Sequence, residues 1–532
     1  MSGRMHQVEL VEAPDEPERS RSASRPAAPS SHVDVELDDD ADAPDRTDAD
    51  QHLLAARGWL RRHARWLVPV SAGLVLALVT TQLVVNHRES ARLAALAAIP
   101  GVVPPADPSI GVVWRADPLL ARAVQTGAVV DGTLVGGLQD QAGVLSLVGL
   151  DPDTGATTWT TAVDQPAPAT SDGGGSLWVT CSAVPHGDSS VALCVAQQPG
   201  DGGQGNPDAS VWVVDPADGS VLATRTIPGD GGFGVVDDAL VVAQREATDG
   251  TPAKADASSV RWATTATDLV TGRTSWTWTS PAVDVPGRED GPQASNATGS
   301  ASIQVAGDRV LVAVDGHAWI LTSHGELVRH VALDPGGWVE PARSGAFLQS
   351  TWTSGGLDHG SLLLQDGRTV PIEETTAYLS VDDGSAPGVV FTVGQGPSGA
   401  DGLSGWSAAT GKRLWHLDGT ITAGLLLDGV LYIAFDDSLR AYDATTGDQR
   451  WSTPVDRVVQ QVSTDGRYLL VPGLAATLEA YSLRDGGLVW KKDLMNEVAG
   501  DRSPVYVQGF QSGWHDPRLF VWMDTGALAA LG

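Results

Sequence analysis

A few patterns in this chain have residue types that could do chemistry. The run GDGGFG at 229–234 has the G-x-G-x-x-G spelling of a phosphate-cradling loop. That loop works only when a helix start follows to hold the phosphates. Here the strand-like VVDDALVVAQ follows, so no dinucleotide site is expected. His317, His324 and His330 lie close together, but their spacing fits no common zinc pattern, and turn and strand positions account for them. Asp-rich turns such as DPDTG at 151–155 look like calcium loops only on the surface, because a tight turn explains the same letters. No P-loop, G-x-S-x-G or H-E-x-x-H occurs. NAT at 296–298 spells a glycosylation acceptor with nothing else to support it.

The elements that would hold such residues come from a repeat. AYDATTGDQRW at 441–451 returns as GWSAATGKRLW at 405–415, AYSLRDGGLVW at 480–490, ATDLVTGRTSW at 266–276 and GLDPDTGATTW at 149–159. The physical reading is a meander. An apolar strand such as GVLYIAFDD leads to a second strand, SLRAYDA. Asp443 ends it with a side chain that can bond backbone two residues on, and Gly447 supplies a position open to φ > 0. DQRWSTP is the next strand, with Trp451 projecting from one face. One small sheet cannot bury both faces, but copies stacked around an axis can. The 18 Trp against 6 Phe and 6 Tyr suit a large flat side chain wedged between adjacent sheets.

The unit resembles the repeat of PQQ-like (quinoprotein-type) β-propellers. Ala441, Asp443, Thr446, Gly447 and Trp451 carry the match, as do Ala266, Asp268, Thr271, Gly272 and Trp276, and nearly so Gly149, Asp151, Thr154, Gly155 and Trp159. At Gly411 and Trp415 the aspartate is Ser407; at Gly486 and Trp490 it is Ser482. Around Asp215 and Gly219 the tryptophan is lost to Ala223, and near Gly325 and Gly367 the unit is barely legible. The resemblance implies an all-β propeller over 110–532 in which IGVVWRAD, with Trp114 in the tryptophan position, closes the last blade begun by DPRLFVWMDTG. Eight four-stranded blades are expected, with one of the degenerate units, near Gly325 or Gly367, as an insertion.

The flanking composition sets the compartment. A net charge of −31 argues against nucleic acid and against docking on anionic lipid. Residues 1–56 read as a disordered acidic cytoplasmic tail. Residues 57–90 read as a transmembrane anchor: about twenty uncharged residues from Trp66 to Val85 suffice to cross the bilayer core. Arg57, Arg61, Arg62 and Arg65 precede the span and only Arg88 and Arg92 closely follow, which predicts an N-in, C-out topology. Residues 91–109 are then a linker. Outside the membrane, Cys181 and Cys194 are expected to form a disulfide that staples one hairpin, rather than remain two buried thiols.

The family name raises quinone-dependent dehydrogenation. The resemblance implies, for such enzymes, an adjacent cysteine pair and a calcium site built from acidic and amide side chains. Cys181 and Cys194 are not adjacent, and no residue set maps onto that metal site. The expectation is therefore a module that binds a protein or envelope component, with no cofactor, no metal and no catalytic residues. A ligand receptor signalling to the acidic tail, or a quinoprotein dehydrogenase, is the alternative.

Overall fold

The computed structural model describes residues 99–140, 143–164, 177–197, 207–253, 257, 259–284, 301–314, 316–353, 356–394, 402–473, 476–499, 507–512, 518–523 and 526–532, with short helical pieces between 80 and 96. The chain divides into two compact units at Val85 and Asn86. The expected acidic tail and nearly all of the expected span lie outside the described residues. Among those that are described, no helix is long and apolar enough to cross a membrane.

The second unit is a succession of antiparallel sheets, each a meander of neighbouring strands. In chain order blade 1 spans 128–162, blade 2 178–227, blade 3 232–279, blade 4 302–332 and blade 5 337–372. Blade 6 spans 374–418, blade 7 421–454 and blade 8 463–493. The ninth sheet takes three strands from 507–531 and its fourth from Val112–Ala116, with Val112 opposite Leu531 and Ala116 opposite Leu528. The expected closure by the first strand is present. One helix, Pro118–Thr126, joins it to blade 1; Asp117 caps it by accepting from the amides of Leu119 and Leu120.

The ring has nine blades, not the eight expected. Neither degenerate unit is an insertion. Gly325 turns the third strand of blade 4 into the fourth, and Gly367 does the same in blade 5. A positive-φ glycine stands at this turn in blades 1 to 8: Gly155, Gly219, Gly272, Gly325, Gly367, Gly411, Gly447 and Gly486. The fourth strand of the ninth sheet comes from the other end of the chain, so no such turn occurs there. Blades 4 and 5 were obscured because they keep the glycine and lose the tryptophan. The burial follows the same count. Among the described residues, each apolar cluster is shared by two consecutive sheets, and the cluster of Trp114, Leu134, Leu150 and Phe520 joins the ninth sheet to the first.

Cys181 and Cys194 sit directly opposite each other in the first hairpin of blade 2 and form the disulfide. The strands run almost to the tip of the hairpin. Pro185 and His186 belong to the first strand, and only Gly187 and Asp188 make the turn. Closing a loop of this length constrains the unfolded chain by about 3 kcal/mol in the chain-entropy account. Alkylation of the unfolded, unreduced chain should leave both thiols unlabelled, and reduction should lower the melting temperature of the propeller.

Blade 8 carries a buried charge. Glu479 is 4% exposed. It accepts from Arg457 at 2.7 Å and the Tyr481 hydroxyl at 2.9 Å, and lies 2.7 Å from the Lys491 ammonium. Desolvation alone would raise its pKa, but these donors outweigh it and bring the carboxyl down to about 2. The unfolded carboxyl titrates in the ordinary range near 4.5. Its stabilisation is therefore complete above that range and disappears as pH falls toward 2. A Glu479→Gln variant should show a flatter melting temperature through that acid window than the parent.

Candidate functional site

The repeat residues explain one another geometrically. The small residue of the motif lies in register with the tryptophan of its own blade: Gly149 with Trp159, Ala266 with Trp276, Gly405 with Trp415, Ala441 with Trp451 and Ala480 with Trp490. A Cβ on Gly149 would stand 2.2 Å from the Trp159 ring. The indole then reaches into the next blade and lies against its turn glycine. A Cβ on Gly155 would be 2.7 Å from Trp114, and one on Gly486 would be 2.4 Å from Trp451. Gly219, Gly325 and Gly447 meet Trp159, Trp276 and Trp415 in the same way.

Each of these indoles also donates to a carbonyl of that next turn. Trp114 reaches Pro152 at 2.9 Å, Trp159 reaches Pro216 at 2.9 Å and Trp276 reaches Ser323 at 2.7 Å. Trp415 reaches Ala444 at 3.2 Å and Trp451 reaches Leu483 at 3.0 Å. The aspartates hold the turns. Asp443 accepts from the amides of Thr445 and Thr446 and from the Thr445 hydroxyl, the largest of the influences that keep its pKa well below the ordinary range. Asp151 and Asp268 are lowered by turn hydrogen bonds from Asp153 and Thr271. Motif Trp, Asp and Gly form a latch from blade to blade, which is structural work.

Three blades lack the tryptophan, and they differ. In blade 2 the Arg225 guanidinium takes the place of the indole, 2.7 Å from a Cβ on Gly272, and donates to Val270 O at 3.4 Å. In blade 5, Val370 fills the space against Gly411. In blade 4 the position four residues after Gly325 is Arg329, and the residue in register beneath it is Ile320. Arg329 reaches past the next turn to Thr369 Oγ1 at 2.7 Å and Arg368 O at 3.5 Å. Nothing lies within 4 Å of a Cβ on Gly367. The result is a cavity of about 180 Å³ between blades 4 and 5, walled by Ile320, Val328, Phe347, Leu363 and Leu364 with Arg309 and Arg329 beside them. Sequence reasoning missed it. Its signal was the joint loss of the small residue and the tryptophan in one unit.

Among the described residues, three further polar clusters hold chemically capable groups. Ser404 Oγ lies 2.8 Å from His416 Nδ1, and His416 Nε2 lies 3.3 Å from Asp418, spacings reminiscent of a nucleophile, a base and its orienting acid. Ser404 is fully buried and its hydroxyl donates to Glu374 at 2.7 Å, so a substrate cannot reach it. His317 and His330 lie 3.1 Å apart, stacked with Trp319, while His324 sits apart in the turn. His317 is held below its usual pKa by burial first and by His330 second. His186, Asp238 and Asp268 bring ligand-type atoms within 4.8 Å of one another where blade 2 meets blade 3. The residues do not fit a quinone-and-calcium centre. The cysteines are fully buried and bonded to each other across a sheet, and the His186 cluster stands at hairpin and turn tips.

Residues 366–462 and 435–511 match the family described as "Outer membrane protein assembly factor BamB", a PQQ-type repeat family. A stretch of 75 residues is 41% identical to the serine/threonine-protein kinase AfsK of Streptomyces coelicolor and 40% to that of Streptomyces griseus. It covers 13% of this chain and 9% of either kinase. Among solved structures, BamB from Moraxella catarrhalis is 13% identical with a TM-score of 0.37, covering 79% of this chain and 97% of that one. Saccharomyces cerevisiae Sqt1 is 10% identical with a TM-score of 0.39, over 79% and 98%. The quinohemoprotein alcohol dehydrogenase ADHIIG from Pseudomonas putida HK5 is 15% identical with a TM-score of 0.32, over 75% and 78%. Likenesses this distant do not choose between binding and catalysis. The family match covers blades 6 to 8 with the last strand of blade 5 and the first strand of the ninth sheet, so this β-propeller carries PQQ-type repeats over that stretch.

Proposed function

We propose that the chain is a membrane-anchored, extracytoplasmic propeller that binds a protein or another envelope component and catalyses no reaction of its own. The observation that supports this most is the engagement of the repeat's chemically capable residues. The aspartates are tied to turn amides, five of the tryptophans to the next blade, and Ser404 to Glu374. Among the described residues, a mostly apolar cavity lies open between blades 4 and 5, which suits recognition better than group transfer. The matched family's description, an outer membrane protein assembly factor, is in keeping with an envelope partner. The anchor rests on the uncharged run from Trp66 to Val85 and the arginines before it. One anchor would hold a large surface beside the membrane and raise its effective concentration for neighbours there.

The loops at 197–210 and 245–259 are natural places for recognition on a rigid scaffold. Most of the first lies outside the described residues.

Affinity purification of the full chain from gently solubilised membranes should bring down a defined set of envelope proteins. Added quinone and calcium should produce no dye reduction. Capture of nothing specific, together with cofactor-dependent dye reduction, would replace this reading by an enzyme. For the topology, a reporter active only outside the cytoplasm and fused after Gly532 should be active; a silent reporter on well-expressed protein refutes N-in, C-out.

A further inference from the structure

The cavity between blades 4 and 5 is a tryptophan slot without its tryptophan, and its surroundings specify an occupant. We propose that it binds a tryptophan side chain of a partner protein, carried next to a carboxylate. This deepens the protein-binding reading above and rests on it.

Three features converge. The first is size and place. In five other blades an indole lies between the fourth strand and the next turn glycine. Here Ile320 and Arg329 replace the small residue and the tryptophan, and the space over Gly367 stays open. A cavity of 180 Å³ suits a single ring system, given that a dry cavity of about 150 Å³ accepts benzene.

The second is a hydrogen-bond acceptor. In blade 4 the turn closes with Gly325 N donating to Thr322 O, and Ser323 O accepts the Trp276 indole. Blade 5 closes in the same way, with Gly367 N donating to Leu364 O. Gln365 therefore holds the place of Ser323, with its carbonyl available to an indole N–H. A phenyl ring would fill the walls and leave that acceptor unused.

The third is charge. Arg329 is half-buried beside the cavity and has no carboxylate partner among the described residues; its bonds go to Arg368 O and Thr369 Oγ1. Arg309 is already paired with Asp308. A carboxylate next to the incoming indole would give Arg329 its counter-ion through a charge-assisted hydrogen bond. An acid two carbons or so from the ring, as at a chain-terminal tryptophan or a neighbouring Asp, meets that requirement.

The test uses the full chain in detergent and three probes followed by ligand-observed NMR and calorimetry: N-acetyltryptophan, N-acetyltryptophanamide and N-acetylleucine. The tryptophan acid should bind about tenfold more tightly than its amide, the gain expected of one charged hydrogen bond. The leucine acid should be weaker than the tryptophan acid. Arg329→Gln should remove the preference for acid over amide while leaving the melting temperature near the parent's. The double variant Ile320→Ala/Arg329→Trp rebuilds the latch in place, so it should melt higher and bind none of the probes.

Absence of binding by the parent overturns the proposal, and so does equal binding by the refilled variant. An Arg329→Gln variant that keeps the acid preference overturns the charge assignment. The same double variant separates this slot from the broader reading in affinity purification. If it captures the parent's partners unchanged, the protein-borne tryptophan is wrong and the scaffold reading survives. If the parent itself captures no partner, the scaffold reading falls whatever the probes do.

Discussion

Trp451→Ala lowers the stability of the propeller by about 3–5 kcal/mol, the usual cost of truncating a buried aromatic. Trp451 is 8% exposed and packs with Tyr432 on its own blade. It crosses to blade 8, where its ring covers Gly486 and its indole N–H bonds Leu483 O. Truncation leaves a hole at a seam and an unpaired carbonyl. Chemical denaturation monitored by circular dichroism reads the loss directly. An exposed ligand platform would behave differently, with stability nearly unchanged while partner capture fell, and that result would reject the latch.

The opposite face of the same latch gives the second large effect. Gly486→Val meets two separate penalties. Its φ is +72°, a conformation that costs an L side chain about 1–2 kcal/mol. Its Cβ would also stand 2.4 Å from the Trp451 ring, and overpacking of this kind typically costs about 1–3 kcal/mol more. Melting should fall by an amount matching the sum, about 2–5 kcal/mol. The backbone part is independent of the indole, and the steric part is shared between the indole and Thr453. In a Trp451→Ala background, Gly486→Val should therefore cost less, keeping its backbone strain and the contact with Thr453 Oγ1, 2.6 Å from the same Cβ. A double-mutant cycle with no coupling energy would show that ring and glycine do not touch.

Much of this fold could be read from the chain because the repeat has a physical necessity at each letter. The glycine supplies the positive φ at the turn, the small residue lies in register with the ring, and the aspartate bonds the turn amides. Blades carrying all of these, around Gly447 and Gly272, were found at once. The blade count slipped because the reading weighted the tryptophan, whose role can be filled otherwise, as Arg225 and Val370 do. The glycine cannot be replaced as cheaply, and it is present in all eight of these turns. The cavity escaped notice for a related reason: a missing side chain is visible only when its neighbours' positions in space are known. The disulfide was legible from the cysteine count, whereas the direct pairing of Cys181 and Cys194 across the hairpin needed the register.

The closing strand has a consequence for biosynthesis. Val112–Ala116 leaves the ribosome before any blade, yet its partner, Leu528–Leu531, is made after eight complete sheets. Throughout that interval the strand is an unpaired edge able to dock on the wrong meander, since every blade offers a similar one. Each sheet can mature locally as it emerges, but the ring gains its final seam in one late step that joins distant parts of the chain. Refolding from denaturant should therefore be governed by that single long-range closure, with the nascent protein most dependent on holding factors just before it occurs.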